Sequence, residues 1–451
     1  MSLSKNLRMS HSAESISDKM SIFTVPPTDI SCEDKRIHVV SNKNPLTDNV
    51  VLFDFTTSDG YMAVLNEIEI EITGKIVQGD GSNIPAMPAG SWTAAAITAA
   101  TKTNMQKADV YPINQLLHSL FRHGRVRVQN QYMETNDYHM KAMLDGILGD
   151  TYGNVDRKLG SLYVEASGSD GGKYSMIFGH PNSSVSGVTL GGLTKLSTEI
   201  QMRGKLPLDV CSIDKFMISR VPFTIELLRN SPETYLMSSK DDASFKFNMS
   251  ECKLYIPIVK VRSDVDSANT DTLKDNPAYY PYLQSVIKTY TIASGSHSFE
   301  AEDLFQGRVP LRTTVCMVPS VHYTPGYKHW PFYFKHCNLS EIHFKIDDVC
   351  NSMKMKFSTN ERETKALQPY LALINMYPAL ELSLAEFSKD APLFVFDNGN
   401  NYETGSLPMQ KKGLTRLEMK FDTALTENIT VFVYCKLPRV ACIDNDRQVT
   451  L

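Results

Sequence analysis

No stretch of this chain approaches the roughly eighteen consecutive apolar residues of a membrane-crossing helix. Met1 to about Lys19 is polar, Ser-rich and aperiodic, so it reads as a mobile arm rather than a signal peptide, and synthesis in the cytosol is expected. The four N-x-[S/T] sequons, starting at Asn182, Asn248, Asn338 and Asn428, then carry no weight. Cations are not in excess: a formal net charge of −4 argues against a dedicated nucleic-acid binder, which needs a local surplus of Lys and Arg. Cysteine is sparse, eight in 451 residues, and scattered singly at Cys32, Cys211, Cys252, Cys316, Cys337, Cys350, Cys435 and Cys442. None makes a C-x-x-C pair, so zinc, redox and disulfide-scaffold readings fall away and reduced, mostly buried thiols are expected. Phosphate loops are missing as well. The Gly-Lys pairs at Gly74, Gly172 and Gly204 lack the upstream glycine of a P-loop, and no G-x-G-x-x-G joins a strand to a helix.

What is present is ordinary soluble-protein composition, 42% apolar and 21% charged, in a chain long enough for two or more domains. The dominant pattern is the short strand. "VVLFDF" ends at an Asp59-Gly60 turn. In "NEIEIEITGKIV", Ile68, Ile70 and Ile72 point one way and Glu67, Glu69 and Glu71 the other, so a half-buried strand with its glutamates in solvent is expected. Further strands read "TKLSTEIQMR", "VPFTIELLRN", "CKLYIPIVKV", "LQSVIKTYTI", "VPLRTTVCMV", "LSEIHFKI", "PLFVFD", "TRLEMKF" and "ITVFVYC". Helical spacing is rarer. It occurs around Leu116–Phe121, where a short helix is expected to pass through a Gly124 hinge into the strand "RVRVQ". It recurs at Met140, Met143, Leu144, Ile147 and Leu148, with Asn136 as N-cap and Gly149 as stop, and around "ETKALQPYLALINMY".

Chemistry-bearing patterns are weak. "SGSDGGK" near Ser169 exchanges the Asp and Ser of a serine-protease loop, and the nucleophile's place in that loop is what builds the oxyanion hole. His322, His329, His336 and His343 recur every seven residues, but Pro319, Pro325, Gly326 and Pro331 forbid a helix that would align them. At most two should meet. Asp264, Asp266 and Asp275 fit three positions of a calcium loop whose turn position is Asn269 rather than Gly, so "RSDVDSANTDTLKDNP" reads as a polar loop and the best domain boundary. Arg122, His123, Arg125 and Arg127 form one basic cluster, suited to intersubunit carboxylates as well as to phosphates. Phe332 and Phe334 share one side of an extended segment with Trp330, an aromatic density that suits a core or a subunit contact. No catalytic, metal or cofactor residue is assigned.

These strands suggest an all-β chain of two jelly-roll β-sandwiches in tandem, with short inserted helices and the amino-terminal arm. The expected parts are an arm and lead-in over 1–47, a first jelly roll over 48–263 and a second over 264–451. The first contains a Gly-rich excursion, 149–193, holding ten of the 24 glycines. A rival reading is a β-sandwich carbohydrate- or receptor-binding module with that excursion as its binding loop. A hydrolase would need an acid–base pair that the sequence does not supply.

The order of several motifs adds to this. "SIFTVPPTDI", "YPINQLLHSLFRHGRVRVQNQ", "GRVPLRTTVCMV", "WPFYFKHCNLSEIHFKID" and "VFVYCKLPRVACIDNDRQVTL" together resemble the major capsid proteins of Polinton/Maverick elements and adintoviruses, in the double-jelly-roll lineage. An apolar-Phe-x-Val-Pro-Pro-Thr start matches Phe23 to Thr28, and a Pro-x-Asn-x-x-x-x-Ser-Leu-Phe core matches Pro112, Asn114, Ser119, Leu120 and Phe121. The Asn-Pro-Phe-x-Phe signature becomes Trp330-Pro331-Phe332-Tyr333-Phe334, departing before the proline. The likeness spans Ser21 to Leu451, with 149–193 matching poorly. It implies a homotrimeric, pseudo-hexagonal capsomer tiling an icosahedral virion shell. Its partners would be neighbouring copies, with penton and minor capsid proteins beside them, and packaged DNA only indirectly. Phe23, Pro26, Pro27, Arg125, Arg127, Trp330, Phe332 and Phe334 are the candidate interface or packing residues.

Overall fold

A computed structural model describes residues 28–84, 110–129, 131–149, 197–238, 243–329, 331–358, 364–378, 382–389, 391–399 and 410–450, with positions 20, 22, 23, 25, 160 and 380. Leaving unnumbered the two- and three-residue strands Tyr61–Ala63, Tyr111–Pro112, Leu236–Met237 and Val449–Thr450, eight strands come first: β1 (Cys32–Ser41), β2 (Val50–Thr56), β3 (Glu69–Gln78), β4 (Phe121–Val128), β5 (Gln131–Thr135), β6 (Ile200–Lys205), β7 (Pro222–Arg229) and β8 (Phe245–Val261). Eight more follow: β9 (Ala278–Ile292), β10 (Ser298–Ala301), β11 (Arg312–Pro319), β12 (Leu339–Ile346), β13 (Val349–Lys354), β14 (Phe394–Asp397), β15 (Thr415–Phe421) and β16 (Ile429–Ile443).

Both sets wind alike. The first makes sheets β1-β8-β3-β6 and β2-β7-β4-β5; the second makes β9-β16-β11-β14 and β10-β15-β12-β13, with every pairing antiparallel. Counted within each set, the orders are 1-8-3-6 and 2-7-4-5 both times, the winding of a jelly roll. Among the described residues no strand of one set pairs with a strand of the other. The chain is a double jelly roll.

Alternation builds each sandwich. Ile70, Ile72 and Ile76 on β3 and Phe223, Ile225 and Leu227 on β7 turn into the first core, and Phe344 of β12 stacks on Phe396 of β14, 5.4 Å between ring centres, across the second. In β8 the buried set runs Phe245, Phe247, Met249 and then Cys252, Leu254, Ile256. A bulge between Met249 and Glu251 shifts the phase by one residue and keeps the same face inward.

Helices fill the connections: α1 (Leu116–Ser119), α2 (Tyr138–Leu148), α3 (Ser263–Asp275), α4 (Leu367–Met376) and α5 (Leu384–Lys389). Three expectations change here. Gly124 is no hinge: β4 begins at Phe121, and a Cβ on Gly124 would lie 2.4 Å from Leu208 Cδ2 and 3.1 Å from Tyr138, so glycine permits α2 to approach the sheet. The N-cap of α2 is Asp137, not Asn136, while Gly149 ends the helix at φ 78°. Most clearly, Ser263–Asp275 is a helix rather than a loop. Asp264 and Asp266 occupy its first turn and Lys274 its last, complementing the macrodipole. Only Leu273 is buried, so no apolar period advertised it.

Candidate functional site

The two sandwiches meet through α2, and all eleven of its residues are buried. On one side Tyr138 packs edge-on against Phe121 and its hydroxyl lies 3.0 Å from His118 Nδ1. On the other, α2 faces the β9-β16-β11-β14 sheet of the second barrel. A helix buried all round has no solvent for its charges, and α2 carries two, Lys141 and Asp145, four residues apart.

They are answered across the seam. Lys141 Nζ pairs with Asp145 Oδ2 at 2.7 Å and lies 3.8 Å from Asp209 of the first barrel. Tyr434 of β16 donates its hydroxyl to Asp145 Oδ1 at 2.6 Å, and Lys436 Nζ lies 3.6 Å from the same oxygen. The Ser285 amide of β9 donates to Asp209 Oδ2 at 3.0 Å. Burial by itself would raise Asp145, but the charges of Lys141 and Lys436 with the hydrogen bonds from Lys141 and Tyr434 outweigh it and hold the carboxyl below its usual range. Asp209, also buried but less well partnered, is pushed up by desolvation. Burial drives His118 down to about 3 and His139 to about 4, so both rings are neutral near pH 7.

Further bonds close the seam away from this cluster. Tyr323 donates to Asp137 at 3.1 Å, Tyr280 accepts from the Ile218 amide at 3.1 Å, the Phe245 amide donates to Tyr327 Oη at 2.9 Å, and Arg447 donates to the Ser219 carbonyl at 3.0 Å. Two clefts open beside α2: one of about 660 Å³ lined by Arg122, His139, Arg229 and Tyr323, and one of about 260 Å³ lined by Lys141, Asp209, Ser285 and Lys436.

The residues singled out in the sequence disperse. Phe23 is 94% exposed; Pro26, Pro27 and Trp330 lie outside the described residues, as do 1–19 and, but for Gly149 and Gly160, the Gly-rich excursion 149–193. Phe332 and Phe334 are core side chains, Phe332 with its ring centre 6.2 Å from that of His139 across the seam. Arg125 and Arg127 do share the outer face of β4, where Arg125 pairs with Glu134 at 2.7 Å and Arg127 donates to Thr224 at 3.1 Å. Two of the four spaced histidines meet, His322 and His329, with ring centres 6.0 Å apart. Among the described residues no three His, Cys, Asp or Glu side chains are grouped to hold a metal ion, and no helix is long and apolar enough to cross a membrane.

The glutamate face of β3 differs from expectation. Glu71 is buried: it accepts from Tyr255 at 3.1 Å and lies 3.9 Å from Arg203, which pairs with Glu69 at 2.7 Å and stacks its guanidinium over the Tyr255 ring at 3.7 Å. Lys35 takes Glu67 at 2.6 Å. At Glu69 and Glu71 cross-strand partners, invisible in a one-strand pattern, replace the solvent, while Glu67, in a single turn before β3, stays exposed as expected.

No family model matches the sequence. The chain is 20% identical over 261 residues, 55% of its length, to an uncharacterised protein of Caenorhabditis elegans, and the match spans 58% of that protein. Folds give the stronger likeness. A chain of the Sputnik virophage, solved by cryo-EM, superposes with a TM-score of 0.59 at 10% identity, covering 98% of this chain and 94% of that one. The Faustovirus major capsid protein gives 0.51 at 7% identity over 93% and 92%, and VP54 of PBCV-1 gives 0.51 at 7% over 95% and 99%. At such identities the likeness is one of fold, and the neighbours' double jelly roll is the architecture found here.

Proposed function

We propose that this chain is a major capsid protein. It acts as a structural subunit rather than an enzyme, and its copies associate into capsomers of an icosahedral virion shell around double-stranded DNA. The observation that carries the reading is the pair of identically wound jelly rolls locked side by side by a buried polar seam. One chain thereby offers two similar units in a fixed relation. Three such chains present six, so a homotrimer closes a pseudo-hexagonal ring without a free flank. The similarity in fold to the Faustovirus major capsid protein and to PBCV-1 VP54 supports the same reading.

The motif order from Ser21 to Leu451 supports a finer placement, beside the capsid proteins of Polinton/Maverick elements and adintoviruses. Penton and minor capsid proteins would complete the shell, and DNA would be enclosed rather than gripped. The paired arrangement of Arg125 with Glu134 fits that: the exposed cation is already matched by its own sheet. The mass of the purified protein in solution tests the proposal. A species of three times 50.6 kDa is expected; a 50.6 kDa monomer that saturably binds a glycan and never assembles would replace it with the binding-module reading.

A further inference from the structure

The two barrels insert helices at the same point of their winding. α2 lies between the fifth and sixth strands of the first barrel, and α4 with α5 lies between the fifth and sixth strands of the second. Their fates differ. α2 is wholly buried because the outer face of the second barrel's β9-β16 pair covers it, through Tyr434 and Lys436 at Asp145, with Ser285 bonded to the neighbouring Asp209. α4 turns Pro369 and Leu373 inward and leaves Leu367 (56%) and Leu371 (43%) exposed, with half-buried Ile374 continuing the same i, i+4, i+7 stripe.

The matching receptor is equally bare. On the first barrel the pair equivalent to β9-β16 is β1-β8. Ile37 and Val39 stand opposite Pro257 and Tyr255, on the outer face that carries the Tyr255–Arg203 stack. Ile37 is 58% and Val39 46% exposed on a strand at the sheet edge. An apolar helix stripe and an apolar sheet edge thus sit uncovered at the two positions whose counterparts meet inside the chain.

We infer that α4 of one copy docks, through Leu367, Leu371 and Ile374, on the outer face of β1-β8 of a second copy, at Ile37 and Val39. The contact repeats between chains the relation that α2 makes within one. It is heterologous, each copy giving a helix and receiving one, and such contacts close into rings when the rotation permits. The helix face and the sheet edge do not satisfy each other within one chain, where Leu367, Leu371, Ile37 and Val39 all remain exposed, and the second barrel's own β9-β16 face is already occupied by α2. This deepens the capsomer reading and rests on it.

Charge placement and cross-linking test it together. Leu371→Glu or Ile37→Lys, each on an exposed side chain, should leave the far-ultraviolet circular dichroism and thermal midpoint of the chain unchanged. Each should raise the concentration of half-dissociation by about tenfold or more. Mixing the two variants should restore part of the association. In a Cys350→Ser background, which removes the exposed native thiol, Val39→Cys with Leu371→Cys should give interchain disulfides on mild oxidation, and neither cysteine variant alone should. If wild type associates but the charge variants still associate and no cross-link forms, this docking is wrong while the capsomer reading stands. If wild type is monomeric at all concentrations, both fall.

Discussion

Tyr434 and Asp145 stand 289 residues apart in the chain and 2.6 Å apart in the fold. The hydroxyl of one barrel is the donor that completes the buried carboxylate of the other's helix. Removing only that donor, by Tyr434→Phe, should cost about 1.5–3 kcal/mol, the range for a hydrogen bond to a charged group. Asp145→Ala, which leaves Lys141 and Lys436 facing each other in the seam, should cost about 3–5 kcal/mol. Urea unfolding of the two variants checks this, and equal losses below about 0.5 kcal/mol would remove the seam from the stability account.

The same cluster sets a pH dependence with two opposing parts. Asp145 is lowered in the fold, so its contribution is complete above the ordinary carboxyl range and is lost as pH falls through that range and below. Asp209 is raised, so the folded state holds its proton longer than the unfolded one, and stability falls as pH rises from the ordinary carboxyl value through the folded one. Asp209→Asn keeps an acceptor for the Ser285 amide and removes the buried charge. It should melt higher than wild type near neutral pH, with the gap closing below pH 3.8. A variant that melts lower near neutral pH would mean the Asp209 charge is fully compensated by Lys141.

Gly124→Ala puts a methyl group 2.4 Å from Leu208 Cδ2, in a strand where the backbone itself tolerates alanine. An overpacking loss of about 1–3 kcal/mol is expected. Unchanged stability would mean that the Leu208 side chain and α2 give way without loss.

Arg125 and Glu134 are about half exposed at 2.7 Å. A double-mutant cycle to alanine should give a coupling of about 0.2–1 kcal/mol, and Arg125→Ala should leave any weak DNA association unchanged. A marked loss of DNA binding would return this face to the phosphate-contact reading.

Much of the architecture was legible. Twelve strands read from the sequence appear in the structure, most of them because a half-buried strand writes its two faces into sequence at a period of two. β1 escaped: its burial has no clean alternation, since it lies at a sheet edge with most of its residues exposed. α3 escaped for the opposite reason to a core helix, having almost nothing to bury. The seam was not read from the sequence: α2 was recognised by its apolar spacing, and its two charges, Lys141 and Asp145, gave no sign of being buried. Their partners Asp209, Tyr434 and Lys436 could not be named, because only the packing of one barrel on the other brings them near.

The central claim is that the two-barrel chain meets copies of itself in a closed ring. Negative-stain microscopy of the purified full-length protein tests that claim most directly. The account predicts flat particles of hexagonal outline, three chains each, that tile into sheets or closed shells. Uniform single two-lobed particles at micromolar concentration, with no assembly on raising the concentration, would contradict it.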